Sequence, residues 1–292
     1  MLKFFIFSIS MFAAALCYSQ YQFDAESLID RVKIMSSNEF QGRETGTEGA
    51  EKTRTLLLFE FKQAALNPFG KFLTDTFSDA INVVGMVRGT KHPDKYIVIS
   101  AHYDHLGVHD GEIFNGADDN ASGVSALIAL AHWFSWHTPE HSIVFAAFDA
   151  EENGLVGAKH FVDNLPVKAE QIVLNINMDM ISRNEDKEIY ICGTRYNKWL
   201  RPFLAKVAKD QTITVKYGHD GGFLKFKQNW TKSSDHFPFH KLEIPFVYFG
   251  VEDHEDYHKH TDMFESIDPE FYKNVMSYIL NVTCTLDQSI TY

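Results

Sequence analysis

The sequence lacks the features of a nucleic-acid-binding protein. Its 27 lysine and arginine residues are outnumbered by 39 aspartate and glutamate residues, which gives a formal net charge of −12. Basic stripes that could follow a phosphate backbone are therefore not expected, and neither is a nucleic-acid partner. The sequence also lacks a glycine-rich phosphate loop, a G-x-S-x-G turn and a Rossmann fingerprint. These absences argue against a nucleotide-dependent enzyme and a serine hydrolase.

Cysteine and linker-like segments are scarce as well. Two cysteines, Cys192 and Cys284, follow the N-terminal region, and two cysteines alone do not make a disulfide framework. We expect both to be buried free thiols, although export would make a disulfide chemically possible. No run rich in proline, glycine or serine and no internal repeat divides the chain, so the sequence predicts one domain beyond the N-terminal region.

Residues 1–19 have the build of a secretory signal. Lys3 supplies an early positive charge, an apolar run then extends to Leu16, and small and polar residues come after it. This run is shorter than the about 20 apolar residues that a membrane anchor needs. We therefore expect signal cleavage, a mature domain at residues 20–292 without a membrane contact, and a periplasmic or secreted protein. An uncleaved N-terminal anchor is the alternative.

Strands and helices alternate along the predicted domain. Apolar runs rich in β-branched residues predict strands, and apolar residues at three- and four-residue spacing predict helices between them. The predicted strands span residues 81–87, 96–100, 142–148, 172–178, 188–192 and 244–249, and the predicted helices span residues 24–35, 47–66, 120–137, 155–165, 197–209 and 269–286. The sequence thus predicts an α/β fold, a single-domain α/β/α sandwich with a mainly parallel central sheet flanked by helices on both faces.

Residues that bind metals follow four of these strands at their carboxyl ends, where ligands of parallel sheets bind. These strands lead into the segments AHYDH, DAEEN, DMIS and VEDHEDYHKHTD, and NGADDNASG lies between a strand and a helix near the same edge. Histidines mixed with carboxylates favour zinc over magnesium or calcium. Two zinc ions about 3.5–4 Å apart can clamp both partners of a hydrolysis. The sequence therefore predicts a zinc site with two ions.

Seven motifs in this order resemble the M28 zinc aminopeptidases, of the bacterial secreted leucine-aminopeptidase type. They are GRETGTEG, AHYDH, GADDNASG, FDAEENGLVGA, NMDMIS, SSDHFPF and YHKHTD, and they extend over nearly the whole mature chain. The resemblance implies a zinc-exopeptidase fold of the phosphorylase/hydrolase-like kind with two Zn²⁺ ions per chain. It further implies an enzyme that removes the first residue from peptide substrates with a free amino terminus.

The resemblance also implies roles for individual residues. Asp118 would be the carboxylate shared by both metals, and a cis peptide bond would follow it at Asp118–Asp119. His254 and His260 lie near the implied ligand His258, but the family's Tyr-His…Asp pattern selects His258. The complete implied ligand set is His102, Asp118, Glu152, Asp179 and His258.

The same resemblance makes Glu151 the general base, which would take a proton from a metal-activated water molecule. Adjacent side chains at a strand end point to different sides, so Glu152 can bind a metal while Glu151 faces the water. The same alternation places Asp104 on the side of His102, where we expect it to hydrogen-bond to the second ring nitrogen. The segment SSDHFPF resembles one that lines the substrate side, which makes Asp235 and His236 expected substrate contacts.

Other interpretations of the sequence remain open. The segment HEDYH at 254–258 matches the H-E-x-x-H zinc signature, but that signature works on a helix and this charged segment has no amphipathic pattern. A glutaminyl-peptide cyclotransferase with one zinc shares the fold and nearly all these residues. A short run from Glu152 to Gly157 and Tyr257 in place of a tryptophan favour hydrolysis. A carboxypeptidase, a dipeptidase and a catalytically silent peptide-binding module are further alternatives; the complete ligand set argues against the last.

Overall fold

The computed structural model of the protein describes residues 22–209, 212–221 and 228–291. The predicted signal at residues 1–19 lies outside these ranges. Within them, no helix combines the length and apolar character needed to cross a membrane.

The strands and helices of the described ranges follow the predicted alternation. The strands are β1 (Asn67–Pro68), β2 (Thr74–Phe77), β3 (Ala80–Val87), β4 (His92–His102), β5 (Gly107–His109), β6 (Glu112–Phe114), β7 (His141–Phe148), β8 (Ile172–Met178), β9 (Glu188–Cys192), β10 (Thr214–Tyr217) and β11 (Phe246–Gly250). The α-helices are α1 (Ala25–Met35), α2 (Glu48–Gln63), α3 (Gly123–Trp136), α4 (Val156–Asp163), α5 (Arg201–Ala208), α6 (His236–Lys241) and α7 (Pro269–Ser289).

Three of the helices begin where a side chain caps their first turn. Asp24 accepts a hydrogen bond from the backbone of Ser27 at the start of α1, and Thr47 accepts one from the backbone of Ala50 at the start of α2. Asp268 caps α7, which has a proline at its first position. Short polar side chains satisfy backbone N–H groups that a helix leaves free, so these caps define the helix starts.

One large sheet has the strand order β1-β3-β7-β4-β8-β11-β9-β10, with β2 paired to β3. The four central strands β7, β4, β8 and β11 run parallel to one another. Antiparallel pairs join β3 to β7 and β11 to β9, toward the two edges. The predicted fold class is therefore confirmed, with a parallel centre and mixed edges.

Strand β7 shows why the sheet needs helices on both faces. All eight of its residues are buried, and successive side chains point to opposite faces of the sheet. Phe145 packs in the core shared with α1, α2, α3 and α7, whereas Phe148 packs with Phe161 of α4 and Phe239 of α6. Each such apolar side chain contributes about 1.5–3 kcal/mol when it is fully buried. A continuous apolar run in the sequence therefore corresponds to a strand covered on both sides.

The structure corrects several predicted boundaries. The helix predicted from residue 120 begins at Gly123, because Asp119 and Asn120 have non-helical backbone angles. The helix predicted at 197–209 is a short 3₁₀ turn followed by α5. Strands β1, β2, β5, β6 and β10 were not predicted, since each is only two to four residues long. Cys192 and Cys284 are buried and free, as predicted.

Candidate metal centre

The candidate site lies where the four central parallel strands end. His102 is the last residue of β4, and Asp179 directly follows β8. Glu151 and Glu152 follow β7 after a short turn, and His258 lies on the loop after β11. Because these strands are neighbours and run in one direction, their carboxyl ends bring these side chains to one edge of the sheet.

Asp119 lies between two histidines of the site. Its Oδ1 is 3.4 Å from His102 Nε2, which is also 3.2 Å from Asp179 Oδ1. Its Oδ2 is 3.2 Å from His258 Nε2, which is also 3.4 Å from Glu152 Oε2. Zinc bonds of about 2.0–2.2 Å in a tetrahedral site place neighbouring ligand atoms about 3.3–3.6 Å apart. The five side chains therefore form two adjacent potential ligand triads that share Asp119.

The structure places Asp119, and not the predicted Asp118, between the two histidines. Asp118 is fully buried, and its Oδ1 accepts hydrogen bonds of 2.7 Å from both the backbone N–H and the hydroxyl of Ser182. Its Oδ2 accepts a hydrogen bond from His254 Nε2 at 3.1 Å. The irregular turn at Asp119 and Asn120 directs the two adjacent carboxylates to different neighbours. The cis peptide bond likewise falls at Asp119–Asn120 instead of Asp118–Asp119.

The turn that carries Asp119 is held from two sides. The carboxylate of Asp262 accepts hydrogen bonds from the backbone N–H groups of Asp118 and Asp119, at 3.1 and 3.0 Å. Asn120 donates to the carbonyl oxygen of Met178, at the end of β8, at 3.0 Å. No sequence pattern pointed to Asp262 beyond its place in the last motif. These contacts fix the shared carboxylate relative to the strand that leads to Asp179.

Arg43, in the motif GRETGTEG, also stabilises the turn that carries Asp119. Its guanidinium is fully buried, and burial lowers its pKa to about 10, so that it stays protonated at neutral pH. It donates hydrogen bonds to the backbone carbonyl oxygens of Met35, Tyr103, Asn115, Gly116 and Asp119. A motif recognised only by resemblance thus has a physical role, which is to join α1, the end of β4 and the Asp119 turn.

Replacing Arg43 with methionine is expected to lower the free energy of unfolding by at least about 3 kcal/mol, because several buried carbonyl oxygens lose their donor. Urea denaturation followed by circular dichroism measures this loss. Arg201→Met is the matched control, since Arg201 is exposed and lies 4.4 Å from the ring of Tyr217. The control should lose less than about 1 kcal/mol. Equal losses in the two variants would contradict the role given to Arg43.

Asp104 organises the site through both its backbone and its side chain. Its carbonyl oxygen accepts a hydrogen bond from His102 Nδ1 at 3.2 Å, whereas its carboxylate is 3.8 Å from that nitrogen. The carboxylate instead accepts hydrogen bonds from the backbone N–H groups of Glu151 and Glu152, at 3.0 and 3.2 Å. His102 therefore contacts the predicted residue, but through the carbonyl group. The carboxylate positions the two glutamates.

The electrostatics of the site suit bound cations. Burial raises the pKa of Glu151 well above its ordinary value; His102 opposes this rise, and the charges of Asp235 and Asp179 add to it. Burial raises the pKa of Glu152 as well. Buried carboxylates in such numbers are costly to ionise unless a positive charge is close. Because the ligand atoms are a mixture of imidazole nitrogen and carboxylate oxygen, the residues fit zinc.

The structure does not place Asp235 and His236 among the residues that line the cleft. Both side chains are fully buried, which contradicts their prediction as substrate contacts. His236 Nε2 donates a hydrogen bond to the carbonyl oxygen of Trp230 at 2.8 Å. Asp235 lies close enough to Glu151 to raise its pKa, and burial raises the pKa of Asp235 itself to about 8. Because both residues are polar, the sequence gave no indication that they would be buried.

A cleft of about 540 Å³ opens onto the metal-binding side chains. The side chains of Asp119, Glu151, Glu152 and Asp179 form its acidic end. The remaining wall is mixed: apolar and aromatic side chains are contributed by Leu155, Met180, Trp230, Tyr248, Val251 and Tyr257, and polar ones by Gln228, Asn229, Lys232, Ser233 and Asp253. The arrangement can bind a cationic group beside an apolar one.

The histidines of the H-E-x-x-H match do not form a helical zinc site. Residues 255–258 form turns, His254 contacts Asp118, and His258 contacts Asp119 and Glu152. Rejection of that signature is therefore confirmed. A different histidine was missed: His105 Nδ1 lies 3.0 Å from Glu152 Oε1, and His105, Asp119 and Glu152 form a potential metal-binding group.

Comparison with known proteins shows that the chain is similar to peptidases. The sequence model of peptidase family M28 matches residues 82–283. Aminopeptidase YwaD of Bacillus subtilis is 30% identical to the chain over 259 residues, which are 84% of this chain and 51% of that protein. The chain thus spans about half the length of this relative.

Solved structures are similar to the chain in fold. A glutaminyl cyclase from Bacteroides thetaiotaomicron, bound to N-acetylhistamine, has a TM-score of 0.73 at 21% identity, covering 90% of this chain and 98% of that chain. BSAP, a zinc aminopeptidase from Bacillus subtilis, has a TM-score of 0.72 at 16% identity, covering 90% of this chain and 95% of that chain. At these identities the likeness is one of fold, and it extends to proteins with different reactions.

Proposed function

The chain belongs to peptidase family M28, and on that premise we propose that it is a two-zinc aminopeptidase that hydrolyses the first peptide bond of peptides with a free amino terminus. The observation that carries the proposal is the pair of ligand triads sharing Asp119, with Glu151 beside them in one cleft. His102 and Asp179 would hold one zinc ion, and Glu152 and His258 the other.

The charge of the cleft supports recognition of a free amino terminus. Glu151 and Asp253 line the cleft outside both triads, and their negative charges would attract a protonated α-amine, while an acetylated terminus has no charge to attract. Leu155, Met180 and Val251 in the wall suit an apolar first side chain, so a leucine peptide is the proposed test substrate. The amine and the reacting carbonyl group of a peptide lie only a few atoms apart. Holding the amine at the acidic end would therefore place the first peptide bond at the metal-binding side chains.

Glu151 has the placement expected of a general base. Its backbone N–H group is held by Asp104, and one of its carboxylate oxygens lies within 4.8 Å of ligand atoms of His102 and Asp179. When bound, two zinc ions would supply Lewis acidity to the attacking water and to the scissile carbonyl group. Glu151 would take a proton from that water and return it to the leaving amine.

We also propose that the protein is exported to the periplasm or the medium. Support comes from the N-terminal sequence alone: an early lysine, an apolar run and small residues at 1–19. N-terminal sequencing of the protein recovered from its native host tests this proposal. A mature terminus near residue 20 supports it, and an intact residue 1 contradicts it.

Mass spectrometry of three peptides tests the enzymatic proposal. Their amino termini would be free leucine, acetylated leucine and free glutamine, each incubated with purified protein before chelation, after chelation and after zinc is restored. We expect stepwise loss of single residues from free amino termini, with the acetylated peptide intact. Chelation should abolish this loss, and zinc should restore it.

The other outcomes identify the alternatives. Loss of ammonia from the glutamine peptide without cleavage would show a glutaminyl cyclase. Release of residues from the carboxyl end would show a carboxypeptidase. An absence of any zinc-dependent change, with zinc bound, would indicate a binding protein.

A further inference from the structure

His105 is a buried histidine at the metal centre to which the proposed mechanism gives no role. It follows β4 by three residues, its side chain is fully buried, and its backbone N–H donates to the carbonyl oxygen of Arg43 at 3.4 Å. The ring also packs tightly on the turn that carries Asp119: a Cβ atom on Gly116 would lie 2.5 Å from His105 Cδ2. The glycine thus leaves room for the imidazole at the start of this turn.

The two oxygens of Glu152 face different imidazoles. Oε1 lies 3.0 Å from His105 Nδ1, whereas Oε2 lies 3.4 Å from His258 Nε2. Asp119 Oδ2 is closer to His258 Nε2, at 3.2 Å, than to His105 Nδ1, at 3.7 Å. Oε2 of Glu152 therefore belongs with His258 and Asp119 in one ligand triad, and Oε1 lies outside that triad.

We infer that His105 is a positioning residue for the second metal: its Nδ1–H donates to Oε1 of Glu152 and leaves only Oε2 to bind the ion. The inference rests on the proposed two-zinc function. A carboxylate with one oxygen held in this way binds a metal through the other, in a fixed direction. Hydrogen bonds of this kind to metal ligands typically change metal affinity by about 10- to 100-fold.

The position of the ring proton supports a donor over a direct ligand. His105 Nε2 is buried and has no hydrogen-bond partner among the described residues. If Nδ1 bound the metal, the proton would lie on Nε2, and a buried N–H group would have no acceptor. Such an unmet donor is unfavourable in a buried position. A proton on Nδ1 instead meets the Glu152 oxygen at hydrogen-bond distance.

Zinc titration of the metal-free full-length protein tests the inference, with a competing chelator to resolve the two affinities. His105→Ala removes the donor, and His105→Asn restores an N–H group near the position of Nδ1. His141→Asn is the control, because His141 is equally buried but begins β7, at the end of that strand far from Glu152. Thermal unfolding of each metal-free protein reports on folding separately from metal binding.

We expect His105→Ala to bind the first zinc ion as the wild type does and the second about 10- to 100-fold more weakly. His105→Asn should recover most of that loss, and His141→Asn should show no change in either affinity. Wild-type affinity for both ions in His105→Ala would overturn the inference, as would an equal loss in His105→Asn. A wild-type protein that binds two ions but cleaves no peptide would contradict the proposed function and leave this inference standing.

Discussion

Glu151→Gln is expected to lower kcat for peptide hydrolysis by about 10²–10⁴-fold, because general acid–base catalysis contributes that much. Glutamine keeps the size of the side chain but cannot accept the proton of the attacking water. Neither ligand triad uses Glu151, so both zinc ions should remain bound. Steady-state kinetics on a leucine peptide and zinc content after gel filtration measure the two effects on one sample.

The adjacent residue provides a matched control. Glu152→Gln makes the same chemical change in the same turn, but Glu152 lies in the triad with His258 and Asp119. This variant should lose zinc from the second site along with its activity. Activity close to that of the wild type in Glu151→Gln, with zinc bound, would exclude Glu151 as the base. Loss of zinc from both variants would show that Glu151 acts as a ligand.

The sheet and the edge at which the site lies could be predicted from the sequence because two regular patterns coincide. Continuous apolar runs such as β7 predict buried strands, and groups of metal-binding residue types follow four of the predicted strands at their carboxyl ends. The positions of His102 and Asp179 follow from this rule, since His102 ends β4 and Asp179 comes directly after β8. Strands of two to four residues carry too few side chains to show alternation, and so β5, β6 and β10 were missed.

Residues on irregular backbone could not be assigned in this way. Asp118 and Asp119 are neighbours of identical chemistry, and the turn that separates their directions follows no helical or strand period. His105 follows β4 closely, but its contact with Glu152 depends on how two loops pack. Asp235 and His236 are fully buried, and the ring of His236 packs on Phe246 and Tyr248 of β11, for which polar residue types give no signal. Sequence patterns thus located the loops of the site, and loop packing decided which side chains meet.

Asp119→Asn is expected to abolish activity and to weaken zinc binding at both sites, by more than the about 10- to 100-fold typical of an outer hydrogen-bond partner. Asp119 Oδ1 faces His102 and Oδ2 faces His258, so each triad needs one of its oxygens. Asparagine supplies a single oxygen, and its NH₂ group would face one of the two cations. Zinc titration with a competing chelator measures both affinities.

Asp118→Asn is the matched control one residue earlier, and it separates the structural assignment from the one made by resemblance. The amide oxygen of the introduced asparagine can still accept from Ser182, but the charge-assisted bond from His254 is lost. We expect both zinc ions to stay bound and the free energy of unfolding to fall by about 1–3 kcal/mol, because hydrogen bonds to a buried charge are weakened. If Asp118→Asn loses both ions while Asp119→Asn keeps them, Asp118 is the shared ligand and the placement of Asp119 is wrong. With the expected result, the second aspartate of GADDNASG is the one that joins the two metals, and the first holds the turn to Ser182 and His254.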